Sequence, residues 1–130
     1  MNWTVRRRRF RQILAGNDCV TPATVFNPLS ARMVEELGGQ VGMLAGSVAA
    51  MSILGAPDKM LITASEFADM ALRICRAGDL AIIADADHGY GNAMNVQRTI
   101  RELDHSGLAA ITIEDTDCLL YTSPSPRDVR

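Results

Sequence analysis

Leu80 to Ala84 reads LAIIA, an apolar run with no polar alternation. A half-exposed strand alternates, so a short unbroken run predicts a strand buried on both faces, inside a parallel sheet flanked by helices. Helical patterns stand on either side. From Ser65 to Ala77, Phe67, Met70, Ala71 and Ile74 recur at helical spacing. Ser65 is the expected N-cap, early acids follow, Arg73 and Arg76 lie near the far end, and Gly78 closes the helix. Asn92 to His105 repeats the plan, with Asn92 as cap, Val96, Ile100 and Leu103 inward, and Gly107 as the stop.

The same alternation runs through the rest of the chain. Trp3 to Ala15 predicts a helix with Phe10, Ile13 and Leu14 on one side, closed near Gly16. Cys19 to Phe26, interrupted by Pro22, predicts a first strand. Pro28 to Leu37 predicts a helix ended by Gly38-Gly39. Val41 to Ala45 predicts a second strand. The small-residue stretch after it, SVAAMSILGAPD, receives no element beyond a turn around Pro57. Leu108 to Ile113 predicts a fourth strand, ending in Glu114-Asp115. Strand and helix alternating every ~25 to 35 residues indicate a parallel α/β sheet. Right-handed crossovers bring all C-terminal strand ends to one edge, the edge where such sheets bind ligands. The polar exits Asn27, Ser47, Asp85 with Asp87, and Glu114 with Asp115 should gather there.

With 130 residues, 48% hydrophobic, the chain holds one domain's worth of sequence at most and enough apolar mass for a core. A formal charge of -2 sustains no positive field, so neither nucleic acid nor a membrane surface is the expected partner. Arg6 to Arg9 are read as a solvated helix face. Cys19, Cys75 and Cys118 show no metal-ligand spacing, and with no secretory pattern at the N-terminus they read as reduced thiols of a cytoplasmic protein. No apolar run approaches the ~18 residues of a membrane span. The methionines at 33, 43, 51, 60, 70 and 94 read as core filler.

The chemistry concentrates in IADADHGYGN, Ile83 to Asn92. On an extended strand Asp85 and Asp87 point to opposite faces. A single strand-end aspartate is ordinarily a turn or cap residue. Two, with Glu114 on the next strand, suit a Mg²⁺ or Mn²⁺ site, because clustered carboxylates repel unless a cation or proton sits among them. Spacing alone leaves both readings open. His88 fits an acid-base role less well than that of holding the loop by hydrogen bonds. Gly89 and Gly91 read as turn residues, and Tyr90 as lining or rim. No phosphate loop and no G-x-S-x-G elbow is present, yet the Ser47 hydroxyl and amide could hold a substrate oxygen. His105 reads as a surface residue.

Taken together, PATVFNPLSAR, GMLAGSVAAMSILGAPD, LITASEFADMALRICRAG and ADADHGYGNAMNVQRTIRELDHSGLAAITIEDT resemble the isocitrate lyase and phosphoenolpyruvate mutase superfamily, and within it the oxaloacetate decarboxylase group. The resemblance spans about Arg9 to Thr116, and DADHGYGN followed by IEDT is its sharpest part. It implies a (β/α)₈ barrel of which this chain is the N-terminal half, about four βα units. It also implies Mg²⁺ (Mn²⁺ possible) anchored by Asp85, with Asp58, Asp87 and Glu114 meeting it mostly through water. Ser47 and Gly46 would contact the substrate, and His88, Tyr90 and Asn92 would support the loop. The implied reaction is decarboxylation of oxaloacetate to pyruvate, with the cation as Lewis acid where negative charge grows and no catalytic side chain resolved within the fragment. Asn27 departs from the usual Asp, Ala45 from a usual Gly, and His88 from the Thr of the lyases and phosphonopyruvate enzymes.

A barrel of this kind takes roughly 250 residues. Residues 1–116 therefore read as a partial barrel domain. Residues 117–130 read as a disordered tail outside the family, the ending of a truncated reading frame whose parent forms a homo-oligomer. The fragment is expected to be inactive, with its edge strands exposed and prone to association. Other superfamily chemistries, methylisocitrate-type cleavage or phosphonopyruvate turnover, stand as alternatives. From another class stands a non-catalytic Mg²⁺-binding or dimerising half-barrel. A receiver-type domain fits poorly, because it needs acids where Asn27 stands and a late lysine, and Lys59 is the only one.

Overall fold

The computed structural model describes residues 3–114. Helix α1 (Thr4–Ala15) precedes strand β1 (Ala23–Thr24) and helix α2 (Pro28–Glu36). Strand β2 (Val41–Leu44), helices α3 (Gly46–Leu54) and α4 (Ala64–Cys75), strand β3 (Ala81–Asp85), helix α5 (Ala93–His105) and strand β4 (Ala110–Thr112) follow. The strands pair in parallel in the order β1-β2-β3-β4, so each crossover places the next strand beside the last. This is the expected parallel α/β architecture, three βα units and a fourth strand among the described residues, consistent with half of an eight-stranded barrel.

The two faces of the sheet differ. Val25, Leu44, Ile82 and Ala84 are fully buried and meet Phe67, Met70, Ala71 and Ile74 of α4 and Leu103 of α5. The register aligns Met43 with Ile83 and Ile83 with Ala110, and it aligns Asp85 with Thr112, so these side chains share the opposite face. That face is only half-buried at Met43, Ile83 and Asp85.

Local signals placed most elements, and packing corrected the rest. The first strand contracts from Cys19–Phe26 to a two-residue pairing, because Pro22 has no amide to give the ladder. The unassigned SVAAMSIL is helix α3, ended by Gly55 in the left-handed conformation. Thr63, not Ser65, caps α4, exchanging hydrogen bonds with Glu66 in a capping box. Asn92 caps α5 as expected. On that helix Thr99 is buried and Ile100 is 42% exposed, since the Thr99 hydroxyl turns inward to donate to the Gly89 carbonyl at 3.0 Å. Leu14 is exposed rather than packed beside Phe10 and Ile13, and Met33, Met51, Met60 and Met94 are exposed rather than core filler. The expected tail, 117–130, and Asp115 and Cys118 lie outside the described residues.

The arginine run is the largest correction. Arg6 is buried. Its guanidinium donates to the carbonyls of Cys75 (2.7 Å), Gly107 (3.0 Å) and Gly78, and its carbon lies 4.9 Å from the Trp3 ring centre. Arg7 donates to the carbonyls of Leu108 (3.0 Å) and Asp104 (2.6 Å) and pairs with the Asp104 carboxylate. These carbonyls close α4 and α5 and lead into β3 and β4, so α1 uses positive charge to cap two helix C-termini at once. The arginines thus fix the N-terminal edge of the sheet, and the opposite edge carries the acids.

The cysteines differ in reactivity by the same packing. Burial pushes the Cys75 thiol up to about 11, whereas Cys19 is exposed. At neutral pH the exposed Cys19 should react with a thiol reagent much faster than Cys75, which reacts only as fast as the core opens. Equal rates for the two, read by peptide mass mapping, would contradict this packing.

Candidate metal and substrate site

The acids stand where the alternation placed them, at the C-terminal end of β3, but not as an extended strand presents them. The strand ends at Asp85. Asp87 is left-handed (φ 48°), and its amide donates to Asp85 Oδ1 at 3.1 Å. The opposite-face expectation fails because this side-chain turn folds the second acid back beside the first. The backbone is tied down on the other side as well: Ala86 donates to the Thr112 carbonyl at 3.0 Å, and Glu114 donates to the Asp87 carbonyl at 2.7 Å.

Asp87 gathers the remaining groups. Burial lifts its carboxyl above the ordinary 3.8, and the charges of Asp85, Asp58 and Glu114 lift it further, opposed by His88. Asp58, Asp85, Asp87 and Glu114 therefore act on one locality. The Asp87 carboxylate also lies against α3: a Cβ on Gly46 would stand 3.0 and 3.1 Å from its two oxygens. Gly46 opens that helix, and its N-cap, Ala45, gives no side-chain bond, so the first-turn amides face this locality without a cap. Ser47 follows, exposed.

Asn27 does not join this group as a free polar exit. Its Oδ1 accepts from the Ser30 amide at 2.7 Å and the Ser30 hydroxyl accepts in return, a capping box that starts α2. The loop from Asp87 to Gly91 has positive φ at Asp87, Gly89, Tyr90 and Gly91. The buried His88 Nδ1 makes no hydrogen bond to the protein, so the expected loop-holding bond is absent at that nitrogen. Asn92 meets its expected role, accepting from Met94 and Asn95. A surface groove of about 590 Å³, lined by Asn27, Glu66, Asp69 and Arg73 among others, contains none of these acids.

The donor set fits a hard divalent cation: carboxylate oxygens, no thiolate, and mutual repulsion that a cation relieves. Among the described residues no three of His, Cys, Asp and Glu stand close enough to ligate one ion together. One direct carboxylate with the others acting through water matches a cation that keeps much of its hydration. The closeness of Gly46 to Asp87 has a testable consequence. Gly46→Ala should leave the protein folded yet displace Asp87 by a few tenths of an ångström, weakening cation binding about 3- to 10-fold. Unchanged affinity by calorimetry would remove Asp87 from the site.

The profile of the family described as Phosphoenolpyruvate phosphomutase matches residues 10–127. The chain belongs to the phosphoenolpyruvate phosphomutase family. Oxaloacetate decarboxylase 1 of Pseudomonas fluorescens is 61% identical over 110 residues, which are 85% of this chain and 38% of that protein. Among solved structures, a phosphoenolpyruvate phosphomutase from Streptomyces platensis subsp. rosaceus superposes with a TM-score of 0.79 at 34% identity, over 84% of this chain and 38% of that one. A phosphonopyruvate hydrolase, solved as a complex with oxalate and Mg++, superposes with a TM-score of 0.80 at 28% identity, over 85% of this chain and 38% of that one. The superfamily resemblance carried by DADHGYGN and IEDT is thus met, and this member of the phosphoenolpyruvate phosphomutase family spans well under half the length of the curated relative it matches. Among the described residues, no helix is long and apolar enough to cross a membrane.

Proposed function

We propose that the full-length protein containing this chain decarboxylates oxaloacetate to pyruvate and CO₂ with a divalent cation, Mg²⁺ or Mn²⁺. The observation that carries this reading is the Asp87 carboxylate seated against Gly46 with Asp85, Asp58 and Glu114 around it. It puts a cation site and an uncapped helix start side by side. The 61% identity to an oxaloacetate decarboxylase favours this substrate over those of the mutase and hydrolase neighbours, at 34% and 28%. The protein is read as cytoplasmic, and as a homo-oligomer at full length. Residues 1–116 are read as the partial barrel and 117–130 as a separate tail.

Each residue then has a task. Asp85 would hold the cation directly, and Asp87, Asp58 and Glu114 would act on it through water. Ser47 and the Gly46 and Ser47 amides bind a substrate oxygen at the start of α3, where backbone N–H groups favour anions. When bound, the cation supplies a Lewis acid at the keto oxygen. The C3–C4 bond breaks, its electron pair moves toward that oxygen, CO₂ departs, and protonation at C3 completes pyruvate. No side-chain nucleophile is needed, which accords with the lack of a serine elbow.

Pyruvate release from oxaloacetate, with and without Mg²⁺, tests this on the chain extended to the length of its relatives. The expected result is metal-dependent release, with little or none from the 130 residues alone. Turnover of phosphonopyruvate or a methylisocitrate in its place would overturn the substrate. The pH profile carries a second signature. A raised Asp87 takes up its proton at higher pH than an ordinary carboxylate. Cation affinity should therefore fall on an acid limb that begins above the usual carboxylate range. The metal-free fold should respond oppositely. A carboxyl raised on folding contributes stability that is present below its ordinary value of 3.8 and lost as pH climbs through its folded value.

A further inference from the structure

Tyr90 combines three features that a loop-lining tyrosine does not need. Its backbone is left-handed, with φ 65°, between Gly89 and Gly91. A bulky side chain is strained in that region, which glycine takes freely. Its ring is fixed, 6.2 Å from the Phe67 ring centre on one side and 6.4 Å from that of His88 on another. Its hydroxyl is buried and makes no hydrogen bond to the protein. Burial, then the charges of Asp87 and Asp85, raise the phenol above its ordinary range. Strained backbone persists where the surrounding structure enforces it, and such positions cluster at functional sites.

We propose that Tyr90 is a positioning residue of the acidic site, its hydroxyl, which has no protein partner, donating to the water that Asp87 shares with a divalent cation held at Asp85. This rests on the cation reading above and extends it. Beside these acids, a neutral donor orients bound water without repelling the cation as a lysine or arginine would. Partners that orient ligands in this way set metal affinity as well as activity. The strain is then explained: left-handed backbone at Tyr90 is what seats the ring beside Phe67 with its hydroxyl buried in the loop that follows β3. The role belongs to the hydroxyl, so the ring alone does not fulfil it.

The test is Mn²⁺ titration, followed by electron paramagnetic resonance, of the wild-type protein, Tyr90→Phe and Asp85→Asn, with thermal melts of each without metal. Phenylalanine keeps the ring and its contact with Phe67. Tyr90→Phe is expected to weaken Mn²⁺ binding about 10-fold, while its metal-free melt stays within a degree or two of wild type or rises. A Mn²⁺ affinity within two-fold of wild type overturns the proposal, as does a melt that falls while affinity holds, which would make the hydroxyl structural. If Tyr90→Phe binds normally and Asp85→Asn does not, only this inference fails. If the wild-type protein shows no saturable Mn²⁺ binding, the cation reading itself fails, and this proposal with it.

Discussion

Asp85→Asn should abolish saturable Mg²⁺ or Mn²⁺ binding at concentrations that fill the wild-type site, a loss of about 100-fold or more in affinity. The substitution is chosen for what it keeps. Asp85 Oδ1 accepts the Asp87 amide at 3.1 Å, and an asparagine carbonyl oxygen accepts the same bond. The turn that brings Asp87 back beside the strand end therefore survives, and the metal-free protein should melt near the wild-type temperature. Only the negative charge is lost. Its removal also takes away one of the two largest influences raising Asp87, so in the metal-free protein the Asp87 carboxyl should titrate at lower pH than in the wild type. Calorimetry reads the loss of binding, and carboxyl NMR of the metal-free proteins reads the titration. An Asp85→Asn protein that binds within three-fold of wild type would place the cation elsewhere.

Arg6→Met should be the most damaging single change to the fold, at about 2–4 kcal/mol in urea unfolding. Methionine retains a long apolar stem and loses the donors. The carbonyls of Cys75, Gly78 and Gly107 then lack their charged partner in a buried setting, where an unmet acceptor costs about 1–3 kcal/mol. These bonds join positions as much as 101 residues apart, so hydrogen exchange should quicken at the entry to β4 as well as in α1. Arg8→Ala is the contrast. Arg8 is exposed, and its loss should stay within about 0.5 kcal/mol. Equal stability of Arg6→Met and Arg8→Ala would show that the arginine run is a solvated face after all.

These two residues mark how far the sequence could be read. Asp85 and Asp87 were legible because an apolar run without alternation ends on them, and a parallel sheet sends every such end to one edge. Glu114 followed from the same rule. Asp58 carries no strand-end signal of its own and entered only through the family resemblance; the loop beyond α3 brings its charge within reach of Asp87. Gly46 was legible as the start of something polar, but not as the surface on which Asp87 rests. That contact needs β2 and β3 in register and α3 formed, and α3 was missed because its small residues give no amphipathic stripe. The cap of α4 slipped from Ser65 to Thr63 because either hydroxyl suits the position locally, and only Thr63 has Glu66 three residues on.

Arg6 was misread for a plain physical reason. Charge runs near a terminus are solvated unless something buried asks for a cation, and what asks here is a set of carbonyls at the ends of α4 and α5. No window of neighbouring residues contains that demand. Tyr90 is similar, since GYG reads as a turn in which glycines carry the positive φ, whereas the tyrosine takes it too. The sequence by itself determined the parallel α/β alternation, the edge on which the acids gather, and the family that IADADHGYGN and IEDT resemble, because each rests on local periodicity, caps and strand ends. The tertiary structure alone decided that Arg6 is buried, that Asp87 folds back onto Gly46, and that the Tyr90 hydroxyl is buried without a protein partner, because each depends on groups that only the folded chain brings together.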